Sequence, residues 1–149
     1  MKYDTATPYV AAYLLVEQQG KYLFVKRANT GWRDGFYGLP SGKVEKNENL
    51  LATAVREVNE EVGLTVNATD LRHAMTVHRR SEDGLEWIDV YFSSKSWQGE
   101  AYNAEPAKSS EIAWFSPDNL PENIIPSTNF ALKQIAAGEH YCEYGWDKL

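Results

Sequence analysis

The residues between Gly42 and Leu64 bring five acidic side chains and one arginine together on a short stretch of chain. At about 100° per residue, a helix over this stretch places Glu57, Glu60 and Glu61 on one face within a single turn. Carboxylates at this spacing repel one another, so a cation is expected beside them. Oxygen ligands suit a hard divalent ion, Mg²⁺ first, whereas zinc would require His or Cys, which the stretch lacks. The spacing therefore predicts a metal site.

A helix over residues 50–62 is the element that must hold these carboxylates. Asn49 is suited to its N-cap, and Gly63 is suited to the position just after its last turn. An apolar stripe on the other side of the helix predicts that this side packs against a core. The stripe consists of Leu51, Val55, Val58 and Val62. The helix is thus expected to dock by one face and to present the acidic face.

The same stretch matches, without a gap, the pattern G-x5-E-x7-R-E-U-x-E-E-x-G-U, in which U is a bulky aliphatic residue. The matching residues are Gly42, Glu48, Arg56, Glu57, Val58, Glu60, Glu61, Gly63 and Leu64. This pattern is typical of the Nudix hydrolases, and the chain resembles that family. The resemblance implies an α+β fold, a Nudix-type α/β/α sandwich with a mixed β-sheet between helices. An amphipathic surface helix with a charged, solvated face is the alternative interpretation.

The resemblance also implies a metal-dependent hydrolysis of a diphosphate linkage. Glu57, Glu60 and Glu61 would be the metal ligands, joined by the main-chain carbonyl of Ser41. The metal would be Mg²⁺, with Mn²⁺ as its substitute. Glu57 and Glu60 are also candidates for the general base.

Arg56 and Glu48 would lie behind the ligands in the Nudix arrangement. A guanidinium group binds carboxylates through two parallel hydrogen bonds and fixes their direction. Arg56 is therefore expected to support catalysis by orienting the metal ligands. Ordinary surface pairing along the helix is the alternative for both residues.

Many Nudix enzymes use a further glutamate from a loop after the sheet, as a metal ligand or as a base. Glu105 and Glu111 compete for this role here. Trp97 and Trp114 bracket the loop much as comparable residues do in the MutT group, the nucleotide-pool cleaning enzymes. That alignment favours Glu105, with Glu111 as the reserve.

Two residues outside the helix match substrate contacts of the MutT group. Arg27, at the end of the second predicted strand, matches a phosphate-contacting arginine, although a solvated strand-end arginine is the alternative. Asn129 aligns with a base-reading asparagine, whose amide can both donate to and accept from a purine edge. Capping of a helix start by Ser127, Thr128 and Asn129 explains the same residues equally well.

Subfamily markers narrow the expected substrate by elimination. The chain lacks the proline that ADP-ribose hydrolases tend to have after the motif, the tyrosine of the diadenosine polyphosphate group and a coenzyme A signature. We therefore expect Mg²⁺-dependent hydrolysis of a nucleoside triphosphate to a nucleoside monophosphate and pyrophosphate, with oxidised dGTP as the candidate substrate. A nucleoside diphosphate derivative such as ADP-ribose or a nucleotide sugar is the alternative, and a non-catalytic nucleotide sensor is the non-enzyme hypothesis.

Length and composition limit the remaining possibilities. A chain of 149 residues that is 43% hydrophobic suits one domain over residues 1–149. Neither an apolar run of about 18 residues nor a signal-peptide pattern occurs, so we expect a cytoplasmic protein without a membrane partner. Cys142 is the single cysteine, which agrees with a reducing compartment.

The net charge of −6 argues against a nucleic-acid polymer as partner, because such proteins carry a basic face. A small nucleotide is the expected partner, and metal ions must offset its repulsion. The oligomeric state is left open between monomer and homodimer.

Further elements follow from hydrophobic periodicity and turn residues. Strands are predicted over residues 8–17, 21–27, 70–80, 85–93 and 112–115, and a second helix over residues 127–137. Residues 97–111 are predicted to be a loop, and residues 140–149 to pack back on the body. Residues 28–38 are irregular, and their Trp32, Phe36 and Tyr37 either wall a pocket for a flat ligand or cover the sheet edge.

Overall fold

The computed structural model describes residues 4–148 of the chain. Its strands are β1 Tyr9–Gln18, β2 Lys21–Arg27, β3 Tyr37–Gly38, β4 Ser41–Lys43, β5 Arg72–Arg80, β6 Glu86–Ser94, β7 Ser109–Phe115 and β8 Tyr141–Tyr144. Its α-helices are α1 Leu50–Val62 and α2 Pro126–Ala136, and short 3₁₀ turns cover Ala68–Asp70 and Trp146–Lys148.

The strands form a mixed sheet in the order β3-β2-β1-β6-β5-β8, with β4 paired to β1 and β7 paired to β2. Strands β1 and β6 are parallel, as are β5 and β8, and the other pairs are antiparallel. One core lies between the sheet and α1, and a second core includes Ala131 and Leu132 of α2. The mixed sheet with a helix on each face confirms the predicted α+β sandwich.

Strand β1 lies at the centre and is buried on both faces. Ala12, Leu14 and Val16 belong to the core under α1, whereas Leu15 belongs to the core under α2. A strand covered on both sides reads as a continuous apolar run, which is why residues 8–17 show little alternation. Successive side chains of β1 therefore reach opposite cores.

The predicted hairpin turn between β1 and β2 is present, but the two strands separate after two residue pairs. Gln19 and Gly20 adopt positive φ angles of 52° and 75° in the turn. Only Glu17 and Gln18 of β1 pair with β2. Beyond them β1 pairs with β4 and β6, and β2 pairs with β3 and β7. The sequence pattern did not reveal β3 and β4, because each is three residues or fewer.

Helix α1 begins and ends at the predicted residues, but its buried stripe differs from the prediction. Val58 and Val62 are fully buried, whereas Leu51 is 37% exposed and lines a surface groove with Val55 and Trp97. The buried positions near the helix start are Thr53 and Ala54 instead. The assignment of Leu51 to the core was therefore wrong, because small residues bring the first turns close to the sheet.

Other elements also differ from the prediction, most of them by one or two residues at their ends. Residues 109–111, expected in a loop, extend β7, where Glu111 pairs with Lys26. Helix α2 begins at Pro126, one residue earlier than predicted. The tail forms β8, which pairs in parallel with β5. No single-sequence pattern marks a four-residue edge strand, since its stability comes from its partner strand.

Within residues 4–148, no helix has the length and apolar composition needed to span a membrane.

Candidate active site

Local sequence positions the acidic face of α1. The Asn49 side chain accepts a hydrogen bond from the Ala52 amide at 2.8 Å, which caps the first turn. Gly63 takes the left-handed conformation at φ 72°, and its amide donates to the Asn59 carbonyl. Both ends of α1 are therefore held, and burial of Val58 and Val62 fixes its rotation on the sheet.

Arg56 lies at the centre of the acidic side chains. Its Nε and Nη2 donate to the two carboxylate oxygens of Glu48 at 2.7 and 2.9 Å. Its Nη1 donates to Glu57 at 2.8 Å and to Glu60 at 3.4 Å. Its Nη2 also donates to the Lys43 carbonyl at 3.3 Å, which ties α1 to β4. Arg56 therefore contacts Glu48, Glu57 and Glu60 at once, and its support of catalysis stays a prediction.

Glu48 anchors this arginine from the turn that precedes α1. Besides Arg56, its carboxylate accepts hydrogen bonds from the Thr53 hydroxyl at 2.6 Å and from the Glu45 amide at 3.2 Å. The hydrogen bonds from Arg56 and Thr53 lower the pKa of Glu48 to about 2. Glu48 is thus an ionised carboxylate that accepts several hydrogen bonds and holds Arg56 in place.

Gly42 gives the Glu57 carboxylate room to lie against β4. A Cβ atom at position 42 would overlap that carboxylate, so any larger residue would force Glu57 out of this position. One residue earlier on β4, the Ser41 amide faces both carboxylate oxygens of Glu61 at 3.4 Å. Strand β4 therefore brings the backbone of Ser41 and the side chains of Glu57 and Glu61 together.

The carboxyl groups of Glu57 and Glu61 are neighbours in a partly buried place. Burial raises the pKa of Glu57. Burial, followed by the charge of Glu57, raises the pKa of Glu61 well above its usual range. The charge of Glu105 contributes further to the raised pKa of Glu61. A carboxyl whose pKa is raised by burial and by a neighbouring charge, as that of Glu61 is, is typical of functional sites.

The loop before β7 brings Glu105 to this place. The Ala104 amide donates to the Glu61 carbonyl at 3.1 Å, and the Glu105 amide donates to the Asn103 side-chain oxygen at 3.2 Å. Lys108 Nζ lies 3.9 Å from the Glu105 carboxylate. Glu111 instead accepts a hydrogen bond from the Tyr37 hydroxyl on the far side of β2. The structure therefore joins Glu105, rather than Glu111, to the acidic residues of α1.

Among residues 4–148, no three acidic, His or Cys side chains converge as a closed metal cluster. Arg56 draws Glu57 and Glu60 to itself, and Glu61 faces the Ser41 amide. Glu60 is the most exposed of the three, with half of its side chain accessible. The assignment of these residues as metal ligands stays a prediction.

Arg27 is held at the end of β2 by the loop that follows. Its Nε donates to the Trp32 carbonyl at 2.9 Å, and its guanidinium lies 5.1 Å from the Trp32 ring centroid. Trp32 is 50% exposed. Arg27 is therefore preoriented rather than freely solvated, and its contact with phosphate stays a prediction.

Asn129 lies in the first turn of α2, beyond the cap position. The helix is capped by Ile125 without a side-chain hydrogen bond, and Pro126 is its first residue. The Asn129 amide donates to the Ile125 carbonyl at 2.9 Å as an ordinary helical bond. The capping interpretation of Ser127, Thr128 and Asn129 was therefore wrong, and the base contact of Asn129 stays a prediction.

The three aromatic residues after β2 differ in burial and in contacts. Tyr37 is buried in the core under α2, and its hydrogen bond to Glu111 raises its pKa to about 12. Phe36 is partly covered by the Arg33 guanidinium at 5.4 Å, and Trp32 stays exposed. Tyr37 thus belongs to the sheet rather than to the wall of an open pocket.

A buried ion pair on the α2 face of the sheet was not anticipated. Arg79 Nε and Nη2 donate to the Asp89 carboxylate at 2.5 and 3.2 Å, and the two residues are 7% and 1% exposed. Alternation along β5 and β6 could have put both residues on one face. Their pairing required the register between the strands, which the sequence does not display.

Comparison with known proteins agrees with this geometry. The family model described as the NUDIX domain matches residues 6–136. The chain belongs to the Nudix family. Among solved structures, a MutT Nudix hydrolase from Burkholderia pseudomallei has a TM-score of 0.78 and 27% identity. The superposition covers 86% of this chain and 98% of that one, so the Nudix fold extends over nearly all of the described residues.

Two relatives within the Nudix family are longer than the part that this chain matches. The 8-oxo-dGDP phosphatase NUDT18 of Mus musculus is 26% identical over 143 residues, which are 95% of this chain and 42% of that protein. The oxidized purine nucleoside triphosphate hydrolase of Danio rerio is 31% identical, over 72% of this chain and 66% of that protein. The chain thus spans less than half of the length of NUDT18.

Proposed function

We propose that this Nudix chain hydrolyses a nucleoside triphosphate to a nucleoside monophosphate and pyrophosphate, with Mg²⁺ bound at the acidic face of α1. The observation that carries the proposal is the pair of Glu57 and Glu61 carboxyl groups beside β4, in which Arg56 orients Glu57 and the Ser41 amide faces Glu61. Two adjacent carboxylates in a partly buried place need a cation to be ionised together. A nucleotide polyphosphate also requires a cation to offset its negative charge.

The side chains present fit a hard divalent cation. Every donor atom is an oxygen, burial and the charge of Glu57 raise the pKa of Glu61, and glycine at position 42 leaves the Glu57 carboxylate space against β4. The residues that would hold the ion are Glu57, Glu60, Glu61 and Glu105, with the carbonyl of Ser41. When bound, Mg²⁺ would acidify a water molecule and neutralise charge on phosphoryl oxygens.

The remaining chemistry falls to residues of the chain itself. Arg56 holds Glu57 and Glu60 in fixed directions, and Glu48 holds Arg56. One carboxylate among Glu57, Glu60 and Glu105 would take the proton from the attacking water. Fixed geometry around the reacting phosphoryl group is the main contribution that a protein makes to this reaction.

Oxidised dGTP is the candidate substrate. The relative from Danio rerio is named an oxidized purine nucleoside triphosphate hydrolase, and it is 31% identical to this chain. Asn129, which does not cap α2, would contact the polar edge of the base, and Arg27 would contact a phosphate. An amide that both donates and accepts can discriminate between purine edges.

Oxidised dGDP is a second candidate substrate. The NUDT18 proteins of Mus musculus and Homo sapiens, both named 8-oxo-dGDP phosphatases, match 95% and 87% of this chain. The same acidic site would serve a diphosphate, with a monophosphate and inorganic phosphate as products. The released group therefore distinguishes the two candidates.

A substrate panel tests both candidates. Purified protein with Mg²⁺ would be given oxidised dGTP, dGTP, oxidised dGDP and ADP-ribose, and products would be separated by chromatography. Pyrophosphate release from oxidised dGTP is the expected result, and phosphate release from oxidised dGDP supports the second candidate. Nucleotide binding without turnover across the panel would make the chain a sensor and would overturn the proposal.

Asn129→Ala tests the base contact. If Asn129 pairs with the base, kcat/KM for the preferred purine triphosphate should fall. The corresponding activation free energy should rise by about 1–3 kcal/mol. Hydrolysis of a poor triphosphate should be nearly unchanged. An equal fall for both substrates would assign Asn129 to support of α2 instead.

A further inference from the structure

The turn that carries Glu105 is held at both ends by one side chain. Asn103 Nδ2 donates to the Ser109 carbonyl at 2.7 Å, and Asn103 Oδ1 accepts a hydrogen bond from the Glu105 amide at 3.2 Å. Ser109 is the first residue of β7. The Asn103 carboxamide therefore joins the start of the turn to the strand in which the turn ends. We call residues 102–108 the Glu105 loop.

The backbone of Glu105 is bonded on both of its sides. Its amide donates to the Asn103 side chain, and its carbonyl accepts hydrogen bonds from the Lys108 and Ser109 amides at 2.9 and 3.0 Å. A short polar side chain that accepts from the amide two residues further on is a common way to fix a turn. Asn103 is the side chain among these partners, so a substitution can remove its two bonds and leave the others.

The Glu105 loop is also bonded to the end of α1. The Tyr102 amide donates to the Val62 carbonyl, and the Ala104 amide donates to the Glu61 carbonyl, both at 3.1 Å. Carbonyls in the last turn of a helix lack partners within the helix, so the loop supplies donors that α1 needs. The loop is thus fixed to α1 up to the residue before Glu105.

Electrostatic repulsion acts against this position of Glu105. Its charge contributes to the raised pKa of Glu61, so the two carboxyl groups lie close enough to repel each other when both are ionised. Lys108 Nζ lies 3.9 Å from the Glu105 carboxylate, but Lys108 is exposed, and an exposed pair of this kind stabilises little. The bonds of Asn103 therefore hold the Glu105 backbone against a repulsion that would move the loop away from α1.

We propose that Asn103 is a positioning residue, whose carboxamide holds Glu105 beside Glu61 so that both carboxylates serve the same divalent cation. The inference rests on the proposed function and adds a residue that acts only through Glu105. Both hydrogen bonds of the Asn103 side chain go to backbone atoms of the loop and of β7. A misplacement of about 1 Å at a catalytic group can lower a rate by up to about 100-fold.

The test is a double-mutant cycle between Asn103→Ala and Glu105→Ala. Two quantities are measured: the Kd of Mn²⁺ without nucleotide, from the electron paramagnetic resonance signal of the free ion, and kcat for oxidised dGTP with Mg²⁺. In whichever quantity Glu105→Ala causes a loss, Asn103→Ala should cause a loss of about tenfold. In the Glu105→Ala protein, Asn103→Ala should change neither quantity by more than about twofold, because no carboxylate remains to be positioned.

Asn103→Ser and Asn67→Ala are the matched controls. Asn103→Ser retains a side-chain oxygen that can accept from the Glu105 amide, and should keep both quantities within about threefold of wild type. Asn67 Oδ1 accepts from the Thr69 amide at 3.1 Å, which is the same arrangement in the turn between α1 and β5. Asn67→Ala should therefore alter neither Mn²⁺ affinity nor kcat. Thermal unfolding shows that each variant is folded, and Asn103→Gln, which displaces the carboxamide by one methylene, replaces Asn103→Ala in the cycle if the alanine variant is unfolded.

Three results would overturn the positioning role of Asn103. They are an Asn103→Ala protein within about twofold of wild type in both quantities, an equal loss with and without the Glu105 side chain, and a Glu105→Ala protein without any loss. A Glu105-dependent loss of Mn²⁺ affinity in a protein that hydrolyses no nucleotide would support the positioning role while overturning the proposed function.

Discussion

At the scale of single residues, Arg56 decides how the acidic side chains are arranged. Its guanidinium bonds simultaneously with Glu48, Glu57 and Glu60. Without it, three carboxylates so close together would turn away into solvent to reduce their repulsion. Glu61, which faces the Ser41 amide instead, has no cation of its own in this arrangement and shows the raised pKa.

Glu57→Gln removes a proposed metal-ligand charge and retains the shape of the side chain. We expect kcat to fall at least about 100-fold. Thermal stability without metal should stay equal or rise, because burial already raises the pKa of Glu57 and disfavours its charge. Steady-state kinetics and thermal unfolding provide the two measurements.

The control for Glu57→Gln is Glu139→Gln, which changes an exposed carboxylate beyond the end of α2. It should leave kcat within about twofold of wild type. Activity of Glu57→Gln within a few-fold of wild type would contradict the metal-site proposal.

Glu105→Gln and Glu111→Gln form a matched pair on one segment. Glu105 lies close enough to Glu61 to raise its pKa, whereas Glu111 is bonded to Tyr37. We expect Glu105→Gln to lower kcat at least about tenfold more than Glu111→Gln, and to alter the acidic limb of the pH–rate profile. Kinetics across pH measure both effects, and equal mild losses would leave this loop without a catalytic role.

At the scale of elements, β4 and α1 act as one unit. The three residues of β4 supply the carbonyl that binds Arg56, the glycine that admits Glu57 and the amide that faces Glu61. The turn between them supplies Glu48, which bonds with Arg56 and with Thr53 of α1. The stability of this unit should therefore depend on the ionisation of Glu48.

Glu48→Gln tests that dependence through pH. The folded protein lowers the pKa of Glu48 from 4.5 to about 2, so its ionisation stabilises the fold above pH 4.5. This stability is lost as pH falls from 4.5 toward 2, where the carboxylate becomes protonated. Urea unfolding of wild type should show a steeper loss over this range than Glu48→Gln. Parallel profiles for the two proteins would contradict the assignment.

At the scale of the whole molecule, the C-terminal segment completes the sheet. Strand β8 pairs with β5, and the Trp146 indole donates to the His78 carbonyl at 2.9 Å. The rings of His78 and Trp146 lie 4.6 Å apart, and Phe130 of α2 packs on Tyr144 at 5.0 Å. The tail therefore links α2 to the edge of the sheet, remote in sequence from the acidic site.

Trp146→Phe retains an aromatic ring and removes the indole hydrogen bond. We expect the free energy of unfolding to fall by about 1 kcal/mol, with kcat unchanged, because the His78 carbonyl loses its donor. Trp32→Phe, at an exposed position, should change the unfolding free energy by less than about 0.5 kcal/mol. Equal changes in the unfolding free energy for the two substitutions would contradict a stabilising role of the Trp146 hydrogen bond.

The sequence alone determined α1 and the residues on its acidic face. Asn49, Gly63 and the spacing of the glutamates act within a few residues of one another, so local hydrogen bonds and helix geometry suffice to predict them. The strands of the β5–β6 hairpin followed in the same way from alternation and a short turn.

The tertiary structure decided everything that depends on register between distant segments. It buried Thr53 and Ala54 in place of Leu51, paired Arg79 with Asp89, and brought Glu105 rather than Glu111 to α1. It also placed Tyr9, Trp87 and Lys43 side by side from three different strands. Strand pairing creates these contacts, and a pattern along one chain does not record which residues of separate strands lie opposite each other.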